Sequence, residues 1–471
     1  MTLKIKNTLT KKKEIFQPLN KKEIKFYQCG PTLYWNQHIG NLRSVVLADL
    51  INRSLKYLGY EVNFVRNYTD VGHLSGDNEG DADTGEDRME KAAKREKLDP
   101  NKIAKKYQDS YEEDIQKLNT IFPNSTPKAT EYIKEQIEMI EILLEKSFAY
   151  ITPLAIYFDT SKAKDYHRLS GQSEEYNISG AGTGEIKDKN KKNSNDFVLW
   201  FFKAGVHKNA LQTWTTISFS SPLVEHGEGF PGWHLECSAM AKFLLGDTLD
   251  LKMGGIEHIP IHHTNEIAQS ENANDTEYVK YWLHNEHLLV DGKKMSKSEG
   301  TSFLLSDIEK KGFSPLDLRY FFLQAHYRSK QNFTWEALEA SKNALEKLQN
   351  KIQNLPDGGA VNKKYKQKFI EKIEDDFSIP EALAIVWEIL KSDLSDIDKK
   401  FTILDFDKIL GLKLNEIKKE NLKISNDVQK LLLERKKARE NKNWQKSDKI
   451  REEIKNLGFN VSDKGDEQTL K

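Results

Sequence analysis

The sequence has few cysteines, no net charge and no long apolar run. Its 471 residues contain only Cys29 and Cys237, which excludes a disulfide framework and predicts a reducing, cytoplasmic compartment. No apolar stretch is long enough to cross a bilayer, and the lysine-containing start lacks the apolar core of a secretory signal, so no membrane association is expected. Because the formal net charge is zero, any nucleic-acid binding must rely on local basic patches.

The first half of the chain has the pattern of an α/β fold. IKFYQCG predicts a strand that ends in a turn at Cys29-Gly30-Pro31. NLRSVVLADLINRSLKYLGY has apolar residues at helical spacing, and Gly59 is expected to cap that helix. EVNFVRNYTDV then predicts a second strand. Strand, helix and strand in this order form a βαβ unit and predict a parallel sheet.

The remainder divides by composition. We expect helices over 86–146, a mixed β region over 150–220, a strand at DTLDLKMGG, and a loop running into a helix at PIHHTNEIAQSENA. From Pro315 the apolar stripes predict an almost wholly helical bundle, with a separate terminal unit from about Lys413. The acidic, glycine-rich segment 75–87 is compatible with a cation site, but a surface loop is the favoured interpretation.

Two short motifs have the composition of phosphate-binding elements. His38-Ile-Gly40-Asn41 falls between the first strand and the first helix, where backbone N–H groups favour an anion; the alternative is a helix start with a surface histidine. Lys294-Met-Ser-Lys297-Ser, more than 250 residues later, is a cationic, hydroxyl-rich loop. Each motif alone is weak evidence. Together they resemble the joint signature of class I aminoacyl-tRNA synthetases, which implies a Rossmann-like fold in which both motifs contact ATP.

A third group of residues suits zinc. Cys29, Cys237, His262 and Glu266 offer two thiolates, an imidazole and a carboxylate, and His262 and Glu266 share a face if they are helical. Because zinc binds sulfur well, a substrate thiolate can join it, whereas serine lacks that donor. The alternative for the two cysteines is core packing.

The sequences around these four residues resemble cysteinyl-tRNA synthetase. Cys-Gly-Pro-Thr, Gly-Trp-His-x-Glu-Cys-Ser-Ala-Met and His-His-x-Asn-Glu match that family, and the resemblance runs nearly end to end. It implies that Cys29, Cys237, His262 and Glu266 hold one Zn²⁺ per chain, while His263 is either a neighbouring pocket residue or a packing residue. Thr69 and Trp233 are implied to line the cysteine pocket.

The resemblance also implies the roles of the ATP motifs. His38, Asn41, Lys294 and Lys297 are expected to be catalytic, with His38 and Lys297 stabilising the charge that develops when the cysteine carboxylate attacks the α-phosphate of Mg²⁺·ATP. The expected ATP-binding residues are Gly40, Gly254, Gly255, Glu257 and Lys297. KMGGIEHIPIHHTNE departs from the commoner GGGxDLxFPHHENE pattern, since Glu257 replaces Asp and Thr264 replaces Glu.

The implied architecture has four parts. Residues 1–120 and 221–300 form the Rossmann-like catalytic domain, 121–220 a mixed α/β insertion, 301–410 the stem-contact region and helical bundle, and 411–471 a small anticodon-binding domain. In that last domain Trp444, Asp448 and Asp463 match positions near the anticodon, and core packing is the alternative for Trp444. The expected partners are tRNA(Cys), ATP and L-cysteine, and the expected state is a monomer.

Three alternative functions can be compared with this interpretation. A cysteine:amino-sugar ligase uses the same zinc site and adenylation but lacks an anticodon domain. A tRNA-binding protein without catalysis does not explain the intact motifs. A zinc hydrolase built on His-His-Thr-Asn-Glu lacks HExxH spacing and leaves Lys294–Ser298 unexplained.

Overall fold

The computed structural model describes residues 2–72, 74, 87–171, 188–295, 300–416, 426–457, 459, 461–464 and 467–470. Lys297 and nearly all of the acidic segment 75–87 lie outside these residues. The chain divides into two compact units, Met1–Asn415 and Glu416–Lys471.

The strands are short and occur throughout the chain. In chain order they are β1 (Lys4–Lys6), β2 (Lys13–Ile15), β3 (Glu23–Gln28), β4 (Glu61–Arg66), β5 (Ala149–Ile151), β6 (Ala155–Phe158), β7 (Phe197–Phe202), β8 (Gly229–Pro231), β9 (Leu249–Gly255), β10 (Val279–Asn285), β11 (Leu288–Val290), β12 (Lys293–Lys294), β13 (Gln331–Phe333), β14 (Val461–Lys464) and β15 (Glu467–Leu470).

The helices connect these strands and dominate the second half of the chain. They are α1 (Ile39–Tyr57), α2 (Arg88–Glu96), α3 (Pro100–Lys117), α4 (Ile133–Glu145), α5 (Trp233–Leu245), α6 (His262–Asn274), α7 (Leu305–Lys310), α8 (Pro315–Leu323), α9 (Trp335–Gln353), α10 (Lys363–Glu374), α11 (Ile379–Lys391), α12 (Asp396–Leu410), α13 (Asn426–Glu440) and α14 (Trp444–Asn456).

A four-stranded parallel sheet positions the site. Its order is β10-β9-β3-β4, and every neighbouring pair is parallel. Every residue of β9 is buried, as expected of an inner strand that is covered on both faces. The predicted βαβ unit is confirmed by β3, α1 and β4. Helix α1 ends one residue earlier than expected, with Leu58 as the cap and Gly59 following at φ +92°.

An antiparallel sheet, β5-β6-β7-β8, forms the inserted region. Its inner face packs on α4 and α5 through an apolar cluster that includes Ile140, Phe158, Leu199 and Leu235. The mixed β prediction for this part of the chain is therefore confirmed.

The prediction of an almost wholly helical chain after Pro315 is wrong in two places. Strand β13 pairs with β11, and β14 forms an antiparallel hairpin with β15 in the terminal unit. These strands are three or four residues long and carry mainly polar side chains, so they lack the alternating pattern that identifies a strand.

Candidate functional site

A cavity of about 350 Å³ lies at the carboxyl ends of the parallel strands. Each strand contributes residues at or just beyond its end: Gln28 and Cys29 at β3, Arg66 at β4, Gly255 and Glu257 at β9, and Asn285 and His287 at β10. The connections from β3 to β4 and from β9 to β10 run in opposite directions from the centre of the sheet. A ligand crevice is expected at such a switch point, because the loops there diverge.

The first predicted ATP motif lines this cavity. His38 is the N-cap of α1, and its Nδ1 accepts hydrogen bonds from the backbone N–H groups of Gly40 at 3.1 Å and Asn41 at 3.2 Å. Since Nδ1 is an acceptor, a neutral ring carries its proton on Nε2, which is then a donor. His38, Gly40 and Asn41 all border the cavity. His38 therefore both caps the helix and lines the cavity.

The second motif lies directly beside the first. Lys294 ends β12 and lines the cavity together with Met295. A Cβ at Gly40 would lie 2.1 Å from Met295 Cε, so the two motifs are in close contact at this glycine. Beyond the motif, the carbonyl oxygen of Phe303 accepts the Ile39 N–H at 2.9 Å. The fold thus brings the two motifs together, although Lys297 is outside the described residues.

The predicted glycine pair at the end of β9 is tightly packed. A Cβ at Gly254 would lie 2.6 Å from His258 Nδ1, and one at Gly255 would lie 2.1 Å from Glu257 Oε1. Gly255 and Glu257 line the cavity, and Glu257 Oε2 is 3.7 Å from His287 Nδ1. ATP contact by these residues stays a prediction.

Three of the predicted metal ligands, Cys29, His262 and Glu266, converge beside the cavity together with His263. Cys29 Sγ lies 3.6 Å from His262 Nε2, 3.3 Å from His263 Nε2 and 3.5 Å from Glu266 Oε1. Their donor atoms all lie within 4.8 Å of one another. Because α6 begins at His262, Glu266 is one turn away on the same face, and its Oε1 is 2.9 Å from His262 Nε2. Cys29 also lines the cavity, so the cluster borders it.

Cys237 adjoins this group from α5. The residue is 1% exposed, and its Sγ is 3.6 Å from Asn67 Oδ1. Burial raises the pKa of Cys237, but hydrogen bonds with Cys29 and His262 outweigh that effect and lower it to about 5. Burial and the neighbouring Cys237 raise the pKa of Cys29. The two thiols therefore share one environment, in which one ionises more readily than the other.

The predicted carboxylate ligand is kept ionised by its surroundings. Burial raises the pKa of Glu266, but Lys252 and His262 outweigh burial and lower it to about 2. Lys252 Nζ and Tyr278 OH both contact Glu266 Oε2, the tyrosine at 3.0 Å. The ring of His262 is in turn held by His234, whose Nδ1 is 3.0 Å from His262 Nδ1. These contacts fix the orientation of the candidate ligands.

The two residues expected in the cysteine pocket differ in exposure to the cavity. Trp233 lines the cavity and stacks on His262 with ring centroids 4.2 Å apart. Thr69 is 1% exposed, donates its hydroxyl to Glu236 Oε2 at 2.8 Å, and pairs through its backbone with the segment around Thr32. Thr69 therefore supports the cavity wall, and its role in binding cysteine stays a prediction.

The candidate anticodon residues belong to the terminal unit. Trp444 begins α14 with 56% of its surface exposed, so the core-packing alternative is wrong. The Arg439 guanidinium lies 5.7 Å from the centre of its ring. Asp463 accepts both terminal nitrogens of Arg435 at 2.7 Å, and a nitrogen of Arg439 at 2.9 Å. Asp448 lies on α14.

Sequence reasoning missed several residues of the site. Lys252 lies inside a predicted strand, and the one signal in the sequence is that a charged residue occupies a strand that is buried along its length. Tyr278 and His258 carry no motif that marks them. Their positions follow from the pairing of β9 with β10 and from the turn after β9, which only the fold reveals.

Comparison with known proteins identifies relatives along the whole chain. Residues 15–343 match the family model of the class I (C) tRNA synthetase catalytic domain, and residues 423–470 match that of the cysteinyl-tRNA ligase anticodon binding domain. The chain is 38% identical to Cysteine--tRNA ligase 1 of Burkholderia lata, covering 100% of this chain and 97% of that protein. It is 39% identical to Cysteine--tRNA ligase of Treponema denticola, covering 100% of both.

Solved structures share the fold at low sequence identity. Mycobacterium tuberculosis methionyl-tRNA synthetase with methionyl-adenylate matches 83% of this chain and 90% of its own, with a TM-score of 0.53 and 14% identity. The Agrobacterium radiobacter K84 LeuRS–tRNA–LeuAMS complex matches 85% of this chain and 86% of its own, with a TM-score of 0.58 and 10% identity. Among the described residues, no helix combines the length and apolarity required to cross a membrane.

Proposed function

Because this chain belongs to the cysteine–tRNA ligase family of class I aminoacyl-tRNA synthetases, we propose that its cavity activates L-cysteine with ATP. The family reaction forms cysteinyl-adenylate and pyrophosphate and then transfers the cysteinyl group to tRNA(Cys). The observation that carries the assignment of the site is the position of Cys29, which belongs to the candidate metal group and lines the cavity containing His38 and Lys294.

The donor set fits one zinc ion. We assign Cys29, Cys237, His262 and Glu266 as ligands, because two sulfurs, one imidazole and one carboxylate are a soft and borderline set that suits zinc better than magnesium or calcium. Cys29, His262 and Glu266 contact one another, and Cys237 contacts Cys29 and His262. Cys237, His262 and Glu266 are nearly inaccessible to water. When bound, zinc supplies a Lewis-acid site with affinity for the substrate thiolate.

Selectivity for cysteine follows from the pocket wall. Trp233 covers His262 with its ring, so the side chain of the amino acid meets an apolar face beside sulfur ligands. A serine hydroxyl gains little there, because it is a harder donor and would give up its hydrogen bonds to water. Larger side chains are excluded by the rings of Trp233 and the neighbouring histidines.

The adenylation step is assigned to the two motifs. His38 Nε2 and the start of α1 offer donors and a positive dipole end to the triphosphate, and Lys294 adds a positive charge. Lys297 is proposed to act with them, and Mg²⁺ is proposed to accompany ATP. Gly40, Asn41, Gly254, Gly255 and Glu257 are proposed to contact the nucleotide. Catalysis in this arrangement is positioning and charge stabilisation, without a protein general base.

The terminal unit is proposed to read the anticodon. Exposed Trp444 can stack on an unpaired base, and the nearby Arg439, which also donates to Asp463, adds positive charge for a phosphate. Asp448 and Asp463 are proposed to lie near the same bases. We further propose the four-part domain division given by the sequence, a monomeric state and a cytoplasmic location.

Amino-acid-dependent exchange of labelled pyrophosphate into ATP tests the proposal. We expect exchange with cysteine, no exchange with serine or without amino acid, and loss of exchange after zinc chelation. Aminoacylation of tRNA(Cys) by the same preparation separates the proposal from an amino-sugar ligase. Absence of exchange from folded, zinc-loaded protein would instead favour a tRNA-binding protein without catalysis.

A further inference from the structure

His258 borders the cavity beside the metal group. It ends the short 3₁₀ turn Ile256–His258, which directly follows β9 and also carries Glu257. Its ring centroid is 5.2 Å from that of His262 and 5.1 Å from that of His263. Trp233 faces it edge-on at 6.1 Å and 75°. His258, Glu257, Trp233 and Cys29 all line the cavity.

Neither ring nitrogen of His258 has a hydrogen-bond partner among the described residues. Nδ1 is buried against Gly254, where an added Cβ would be 2.6 Å away. The neighbouring histidines, by contrast, are fixed by ring-nitrogen contacts: His262 with His234 at 3.0 Å and His263 with His284 at 2.7 Å. Because Nδ1 is buried against Gly254, Nε2 is the ring nitrogen that remains to bind a ligand group in the cavity that His258 lines.

The proposed positions of the substrates indicate which of their groups lies beside His258. If the cysteine sulfur lies at Cys29 and the triphosphate lies at His38 and Lys294, the cysteine carboxylate must occupy the interval between them. His258 is adjacent in sequence to Glu257 on the nucleotide side and in ring contact with His262 on the metal side. A donor in that interval can hold one carboxylate oxygen while the other attacks the phosphorus.

We propose that His258 Nε2 donates a hydrogen bond to the substrate cysteine carboxylate and positions it for attack on the α-phosphate. This inference rests on the proposed function and adds a substrate-contacting residue to it. The carboxylate oxygen forms the new bond to phosphorus, pyrophosphate leaves with the electrons of the broken P–O bond, and His258 neither gains nor loses a proton.

The test compares His258→Leu, which has no hydrogen-bonding group, with His258→Asn, which retains a donor. Pyrophosphate exchange is measured with cysteine, and cysteamine, which has the thiol and amine but no carboxylate, is measured as a competitive inhibitor. We expect His258→Leu to lower kcat/KM for cysteine about tenfold, the effect of one lost hydrogen bond to a charged group. The inhibition constant of cysteamine, the KM for ATP and the zinc content should be unchanged, and His258→Asn should recover most of the activity.

If the leucine variant folds poorly, His258→Phe repeats the test with an aromatic ring that has no hydrogen-bonding group. The matched control is His226→Asn, at an exposed histidine outside the cavity lining. If His258→Leu weakens the binding of cysteamine as much as it lowers kcat/KM for cysteine, the contact is not with the carboxylate and the proposal is overturned. A rise in the KM for ATP alone, loss of zinc, or an unchanged kcat/KM would also overturn it. If wild-type protein shows no cysteine-dependent exchange, the proposed function itself fails.

Discussion

Lys252 and Glu266 form an ion pair in which neither side chain is exposed to water. A buried carboxylate and a buried ammonium are each unfavourable alone, so this pair indicates a region of balanced charge. Two thiolates and one carboxylate around a divalent ion leave one net negative charge, which the lysine neutralises. Lys252 therefore belongs to the electrostatics of the proposed metal site, although it is not a ligand.

Replacing this lysine tests its electrostatic role. We expect Lys252→Met to weaken zinc binding by about 10- to 100-fold, the usual effect of removing a partner of a metal ligand. Competition with a chelating dye measures the affinity. Lys280→Met, on the neighbouring strand but solvent-exposed and paired with Glu277, is the matched control and should bind zinc like wild type. Equal zinc affinity in the two variants would contradict the neutralising role.

The choice between Cys237 and His263 as a ligand is open to a direct experiment. His263 belongs to the four residues whose donors lie within 4.8 Å, whereas Cys237 contacts Cys29 and His262. We expect Cys237→Ser to lose its zinc and its cysteine-dependent exchange, and His263→Gln to keep one zinc per chain. Zinc is counted by elemental analysis of the purified variants. Zinc-loaded Cys237→Ser beside zinc-free His263→Gln would reverse the assignment.

The sequence predicted the site better than it predicted the surroundings of the site. Cys29, His38 and His262 lie in motifs whose composition reflects their chemistry, so the residues themselves were informative. Lys252 and His258 carry no such motif, and their places in the site depend on strand order and on the turn after β9. The hairpin β14–β15 was missed because short polar strands form no apolar alternation.

Helix capping and catalysis by His38 can be separated by substitution. Asparagine is a good N-cap and retains an acceptor for the Gly40 and Asn41 N–H groups, but it cannot extend a donor as far as the ring Nε2. We therefore expect His38→Asn to lower kcat for pyrophosphate exchange about 100-fold while leaving the melting temperature within a few degrees of wild type. His38→Ala should lower both. Unchanged kcat in a well-folded His38→Asn enzyme would restrict this residue to capping.

The proposed role of the terminal unit in tRNA binding can be tested by measuring cysteine activation and tRNA(Cys) aminoacylation separately. Because Trp444 is exposed, Trp444→Ala should fold normally, keep cysteine-dependent exchange and lower kcat/KM for tRNA(Cys) aminoacylation about tenfold, as expected for one lost base stack. Leu433→Ala, another exposed apolar residue of this unit, is the control. An equal effect of both substitutions would show that the loss is not specific to stacking at Trp444.

Asp114 on α3 should make folding stability depend on pH. Burial raises the pKa of Asp114 to about 7, even though Lys117 opposes the shift. An unfolded aspartate has a pKa of about 3.9, so between roughly pH 4 and 7 the folded state binds the proton more tightly. The contribution of this group to stability is therefore largest near pH 4, falls as pH rises towards 7 and is constant above that.

Asp114→Asn removes this dependence because the amide does not ionise. We expect the variant to match wild type near pH 4.5 and to exceed it at pH 8 by about 1 to 2 kcal/mol, a figure discounted for the partial exposure of the side chain. Denaturant unfolding at both pH values measures the difference. Asp109→Asn, at a more exposed position of the same helix, supplies the reference for losing one surface charge. If the gain of Asp114→Asn over this reference is the same at pH 4.5 and pH 8, the raised pKa is contradicted, because only ionisation of a buried carboxyl makes the gain grow with pH.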